Sequence, residues 1–171
     1  MIDKEILTGR ISKTEAVHYA KELHNDETGI SEFCNIMLNS ENKRASYNAA
    51  WILFHLSKED KSIYLMPSYN IIVDMAISAN VSNSRRLILS IIADMPITDN
   101  YRTDLLDFCI NNMINRNESD SSRSVMIKLA AKMCKPFPEL RNELAASLEV
   151  LSDDMKPSIS AASKNALKAI R

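Results

Sequence analysis

The sequence predicts an all-α chain, an α-solenoid of about four antiparallel helix pairs behind an N-terminal capping helix. Three observations predict it. Helical patterns end at Leu56, Met95, Met133 and Ile170, 37 to 39 residues apart. A helix that recurs at such an interval, each time after another helix, marks a stacked helical repeat. Only two glycines, Gly9 and Gly29, occur in 171 residues, too few for the tight turns of a β-rich fold. The breaks between helical patterns are short runs of Asn, Asp and Ser, which cap helices and turn the backbone without glycine.

The elements follow in order. Ser12-Lys13-Thr14-Glu15 reads as a capping box. Ala16, Val17, Ala20 and Leu23 then line one face of a helix that Asn25-Asp26-Glu27-Thr28-Gly29 breaks near His24. Residues 1–28 are expected to cap the stack, and 29–171 to form four pairs within a single domain. In each pair the first helix is A and the second B.

A1 spans Ile30 to Asn39, with Phe33, Ile36 and Met37 inward. B1 spans Lys43 to Ser57 behind the Asn42 cap. A2 runs from Met66 to Ala79 with Pro67 in its first turn. B2 runs from Ser84 to Met95 and stops at Pro96. A3, Tyr101 to Ile114, places Leu105, Leu106, Cys109, Ile110 and Met113 at helical spacing. B3, Ser121 to Cys134, stops before Pro136. A4, Pro138 to Leu151, turns Leu140, Leu144, Leu148 and Leu151 inward. B4 runs from Lys156 to Ile170 with Pro157 at its start.

The A-to-B turns are alike: Asn39-Ser40-Glu41-Asn42, Asn80-Val81-Ser82-Asn83, Asn117-Glu118-Ser119-Asp120 and Ser152-Asp153-Asp154. Three of them lead into arginine. Asn42-Lys43-Arg44-Ala45 runs on to Ala49-Ala50 and Leu53. Asn83-Ser84-Arg85-Arg86 and Asp120-Ser121-Ser122-Arg123 are weaker versions, and the fourth copy has Lys156-Pro157. From Ile30 to Arg171 this pattern resembles the HEAT and armadillo repeats. The resemblance implies a right-handed superhelix whose B helices line the concave side. It also implies protein or peptide ligands, with a few relatives acting on DNA bases.

Composition bounds the function. The net charge of −1 gives no overall field toward nucleic acid or membrane. No apolar run approaches the ~20 residues of a membrane span. Met1-Ile2-Asp3-Lys4-Glu5 lacks the basic and apolar regions of a signal peptide. Cys34, Cys109 and Cys134 are far apart in helical patterns, as expected of reduced core thiols in a cytoplasmic protein.

Charge sorts by helix layer. The A helices carry Glu32, Asp74, Arg102, Asp104, Asp107, Glu139, Arg141, Glu143 and Glu149, a sum of −5. The B helices carry Lys43, Arg44, Arg85, Arg86, Asp94, Arg123, Lys128, Lys132, Lys135, Lys156, Lys164, Lys168 and Arg171, a sum of +11. Aligned by their last apolar residue, the B helices give a candidate ridge through Tyr47, Trp51, Arg86, Ser90, Ser124, Lys128, Asn165 and Lys168.

Two roles fit that layer. One is structural: cations near helix C-termini stabilise the dipole by ~0.3–1 kcal/mol each, and Arg44, Arg85 and Arg123 bridge repeats through turn residues. The other is a binding face for an acidic or phosphorylated protein segment, to which Arg and Lys donate charge-assisted hydrogen bonds. Trp51 has the same two readings, core packing or a partly exposed anchor beside Tyr47.

No catalytic or cofactor motif appears. His18 and His24 stand roughly 240° apart around a helix, so they share no metal-binding face. Glu59-Asp60 and Asp153-Asp154 occupy turns, where N-capping and solvation account for them. The expectation is a non-catalytic interaction scaffold with no cofactor and no metal. The alternative is nucleic-acid binding, or the activity of a DNA-repair glycosylase built on HEAT-like repeats, with Trp51 and Asp94 cast as its aromatic and its acid.

Overall fold

A computed structural model describes residues 4–81, 83–97 and 101–171 of the chain. Met1–Asp3, where the signal-peptide reading begins, and Ser82 of the second turn lie outside these residues. The described residues form ten α-helices and contain no strand. They fall into two compact units, Met1–Pro96 and Ile97–Arg171.

The first unit opens with a 3-10 turn, Lys4–Thr8, and then α1, Lys13–Glu22. The capping box is complete: Ser12 Oγ accepts from Glu15 N at 3.2 Å, and Ser12 N donates to Glu15 Oε2 at 2.7 Å. Asn25 follows with φ 60°, a left-handed turn that asparagine tolerates. Asp26 then caps α2, Glu27–Asn39, by accepting from Gly29 N at 2.9 Å. A β-carbon at Gly29 would collide with the carboxylate that caps it.

α3, Lys43–Phe54, is capped by Asn42, whose Oδ1 takes the N–H groups of Arg44 and Ala45. It packs against α2, α1, the Lys4–Thr8 turn and α6, Arg85–Asp94. The apolar surround read in B1 is thus used on several sides, between the cap helix and B2. Buried Asn48 fixes the N-terminal turn by donating Nδ2 to the carbonyls of Leu7 (2.8 Å) and Gly9 (2.9 Å).

The second A helix departs from expectation. Helical backbone begins at α4, Lys58–Asp60, eight residues before Met66. Ser57 caps it, with Oγ accepting from Asp60 N at 3.0 Å. A π-helical stretch, Lys61–Leu65, and a 3-10 turn, Met66–Ser68, then lead into α5, Tyr69–Ile77. Pro67 explains the irregularity: it has no N–H for the Ile63 carbonyl and its ring crowds that oxygen, so the ladder is reorganised around it.

The second unit contains α7 (Thr103–Met113), α8 (Asp120–Cys134), α9 (Pro138–Ser152) and α10 (Pro157–Ile170). α8 packs against all three of the others, and α9 against α10. Leu105, Leu106, Cys109 and Met113 are buried as the spacing predicts, as are Leu144, Leu148 and Leu151; Leu140 and Ile110 are half-buried. Tyr101 donates its hydroxyl to Met133 O at 2.9 Å and meets Phe137 edge-on.

One device recurs in both units. Ser46, Arg85, Arg123 and Ser160 each stand ten residues before the repeated apolar end, so they share a register position. Each donates to a carbonyl near the C-terminus of the preceding A helix. Ser46 Oγ reaches Met37 O at 2.6 Å, and Arg85 Nε reaches Ala76 O at 3.1 Å. Arg123 Nε reaches Met113 O at 2.8 Å, and Ser160 Oγ reaches Ser152 O at 2.6 Å. The last carbonyls of a helix have no partner within it, and this position supplies one.

Candidate binding surfaces on the B helices

Burial divides the B-helix cations. Arg85 and Arg123 are about as buried as core residues, 5% and 3% exposed. Arg85 also gives an Nη to Ser78 O at 2.6 Å. Arg123 meets Asp120 at 3.5 Å and, in the next A-to-B turn, Asp154 at 3.4 Å. The bridging role read for these arginines thus holds for Arg123 through acids of two turns. Arg85 acts through backbone carbonyls, and Arg123 through one carbonyl and two carboxylates.

In the first unit the predicted ridge residues form an aromatic stripe. Tyr47, Trp51 and His55 lie at four-residue spacing, with ring centroids 6.3 and 6.5 Å apart. All three are half-buried, which leaves Trp51 partly exposed beside Tyr47. Phe54 sits beside His55 at 4.9 Å, with the Arg86 guanidinium 5.5 Å and the Lys61 ammonium 5.6 Å from its ring centre. Ser90 gives its hydroxyl to Arg86 O of its own helix at 2.7 Å. Burial, then the charges of Lys13, Lys61 and Arg86, hold the His55 imidazole below its ordinary pKa, and its buried Nε2 has no hydrogen-bond partner.

Asp94 is held by two lysines. Buried Lys61 donates to its Oδ2 at 2.7 Å and to Phe54 O at 2.7 Å, and Lys58 approaches its Oδ1 at 3.8 Å. Asp60 takes part in the Ser57 cap, but it is buried and not solvated as the sequence suggests. It accepts from Ser57 Oγ at 2.8 Å and Asn25 N at 3.2 Å, and His24 Nδ1 lies 2.9 Å from it. Burial alone would raise the Asp60 pKa, but the hydrogen bonds from His24, Ser57 and Asn25 outweigh it and lower the value. The same bond, and then the carboxylate charge, raise His24.

In the second unit a groove of about 290 Å³ runs between α8 and α10. Lys128, Ala131, Lys132 and Lys135 line one side, spaced to share one face of α8. Asn165, Ala166 and Ala169 line the other. Two of the four ridge residues predicted here, Lys128 and Asn165, therefore come together. Ser124 lies nearby in sequence but bonds to Asp120 O at 2.9 Å and Ser158 O at 3.4 Å, and exposed Lys168 is not part of the lining. Lys132 and Lys135 were counted in the basic layer but not placed on the ridge, because a straight line of aligned positions ignores the breadth of the groove.

Another concavity lies in the first unit, about 530 Å³, beside the first turn of α3. Lys43, Arg44 and Tyr47 line it together with Asn80 and Asn83 of the second A-to-B turn. Among the described residues, no group of three or more His, Cys, Asp or Glu side chains is placed to hold a metal ion. No helix among them is long and apolar enough to cross a membrane.

Comparison with known proteins gives one match. A family model described as a HEAT repeat domain covers residues 3–170. No curated protein and no solved structure matches the chain.

Proposed function

The chain belongs to the HEAT repeat family, and from that membership we propose a non-catalytic interaction module that docks an acidic protein segment on its B-helix surface. HEAT repeats generally serve protein–protein interaction and are generally non-catalytic. The observation that carries the finer reading is the α8–α10 groove. Its floor of Ala131, Ala166 and Ala169 lets a partner backbone approach closely. Its rim carries Lys128, Lys132 and Lys135, and among the described residues no acid lines it. Apolar contact on the floor and charge pairing at the rim suit a segment that alternates small apolar and acidic, or phosphorylated, side chains.

The test is fluorescence anisotropy with a labelled Glu- and Ala-rich peptide, at low and moderate salt. Binding is expected in the micromolar range, weakening as salt rises. Lys128→Glu with Lys135→Glu is expected to lower affinity by about tenfold or more, since each opposed charge costs roughly a kcal/mol or more. Failure to bind at low salt, or an affinity unchanged by the two reversals, counts against the reading.

Nucleic-acid binding is the second reading, and one observation favours it. The Tyr47–Trp51–His55 stripe beside Arg86 combines stacking rings with a cation, as single-stranded nucleic-acid sites do. The ion pair of Asp94 with Lys61 weighs against the glycosylase form of this reading. A gel shift of single-stranded oligonucleotide at low salt, lost in Trp51→Ala, is the result it requires.

A further inference from the structure

We infer that the 530 Å³ cavity at the start of α3 is a binding pocket for a phosphate-bearing group, gripped by Arg44 and Lys43. The pocket lies in the first unit and does not rest on the α8–α10 groove, so either can fail alone.

Three observations converge. First, two cations and several amides and hydroxyls line the cavity, and among the described residues no carboxylate does. Glu41, the nearest acid along the chain, is not part of the lining. Second, among the described residues neither Lys43 nor Arg44 has an ion-pair or side-chain hydrogen-bond partner, and both are exposed. A phosphate accepts the bidentate pair of bonds that a guanidinium offers.

Third, the repeat device described above leaves Arg44 without a structural duty. In α6 and α8 an arginine of the first turn is buried against carbonyls of the preceding helix. In α3 that work falls to Ser46, at 2.6 Å from Met37 O. The α3 N-terminus and both cations add to one positive potential, and an anion would relieve it.

The ligand chemistry is thus a phosphomonoester attached to a polar body small enough for the cavity. Tyr47, Asn80 and Asn83 flank the site for that body. A phosphorylated side chain of another protein and a free sugar phosphate share this chemistry.

The test titrates the full chain with inorganic phosphate, a phosphoserine peptide and glucose 6-phosphate, following backbone amide shifts at low ionic strength. Saturable shifts are expected at Lys43, Arg44, Asn80 and Asn83. Arg44→Ala is expected to weaken binding about tenfold, the loss of one charge-assisted bidentate contact. Lys164→Ala, an exposed cation elsewhere, is expected to leave it unchanged. The same spectra show that each variant is folded. Tighter binding of the peptide assigns a protein source, and tighter binding of the sugar phosphate a small-molecule source; either supports the pocket. Shifts that do not saturate, or equal binding by the Lys43→Ala, Arg44→Ala double variant, overturn it.

Discussion

The Arg123 guanidinium closes the helix before its own: its Nε donates to the carbonyl oxygen of Met113 at 2.8 Å, inside the protein. The rest of the fork reaches Asp120 and Asp154, so one side chain links α7, α8 and the turn before α10. Arg123→Ala would strand a helix-end carbonyl and leave Asp154 without its guanidinium partner. A loss of about 2–4 kcal/mol is expected, read from the midpoint of urea unfolding. Arg123→Lys keeps the charge but not the fork, and should fall between the two.

Asn48 offers a second structural test. Its amide holds the carbonyls of Leu7 and Gly9, and so pins the N-terminal turn to α3. Asn48→Asp replaces the donor by an acceptor facing two carbonyls. It should cost more than Asn48→Ala, for which about 2 kcal/mol is expected. Faster amide exchange over residues 4–9, ahead of global unfolding, is the specific signature.

The His24–Asp60 pair predicts a pH window. The pKa of His24 is raised in the fold, so its contribution is fully present below the unfolded value near 6.5 and is lost as pH rises through the folded one. The pKa of Asp60 is lowered, so its contribution is present above the unfolded value near 3.8 and is lost as pH falls through the folded one. The pair therefore stabilises most between those two values. Melting curves of the wild type and His24→Ala should differ most within that window and converge toward alkaline pH. A difference that grows above neutrality would contradict the assignment.

The thiols should be silent in the folded state. Burial pushes Cys109 up to about 12, and burial with the nearby charge of Glu143 pushes Cys134 up to about 11. Cys34 is raised by burial as well. A thiolate-specific reagent at mildly alkaline pH should react with all three only at the rate of unfolding. A fast phase in native buffer would show that one of these helices opens locally.

Local signals made much of this architecture legible. Ser12 and Asn42 announced two helix starts because caps are short-range chemistry between neighbours. The apolar ends fixed the repeat because burial imposes the helical period. Ser57 followed by Asp60 was an equally local cap, overlooked because Pro67 drew the helix start toward itself. The pairing of His24 with Asp60, and of Lys61 with Asp94, joins residues more than thirty apart, and no periodicity encodes which side chains meet there. The recurring donor stood in the alignment at one position. It was hidden because Ser and Arg share no hydropathy or size, only the ability to give a proton to a carbonyl.

That last equivalence has a consequence for how such a chain can diversify. The seam between the two helices of a repeat accepts either a small neutral hydroxyl or a large cation, because the carbonyl asks only for a hydrogen. Repeats can therefore exchange the charge of their first turn while the joint beneath it stays closed. Mutations that recolour the surface and mutations that hold the stack together fall on separate residues, leaving ligand preference free to drift without the scaffold coming apart.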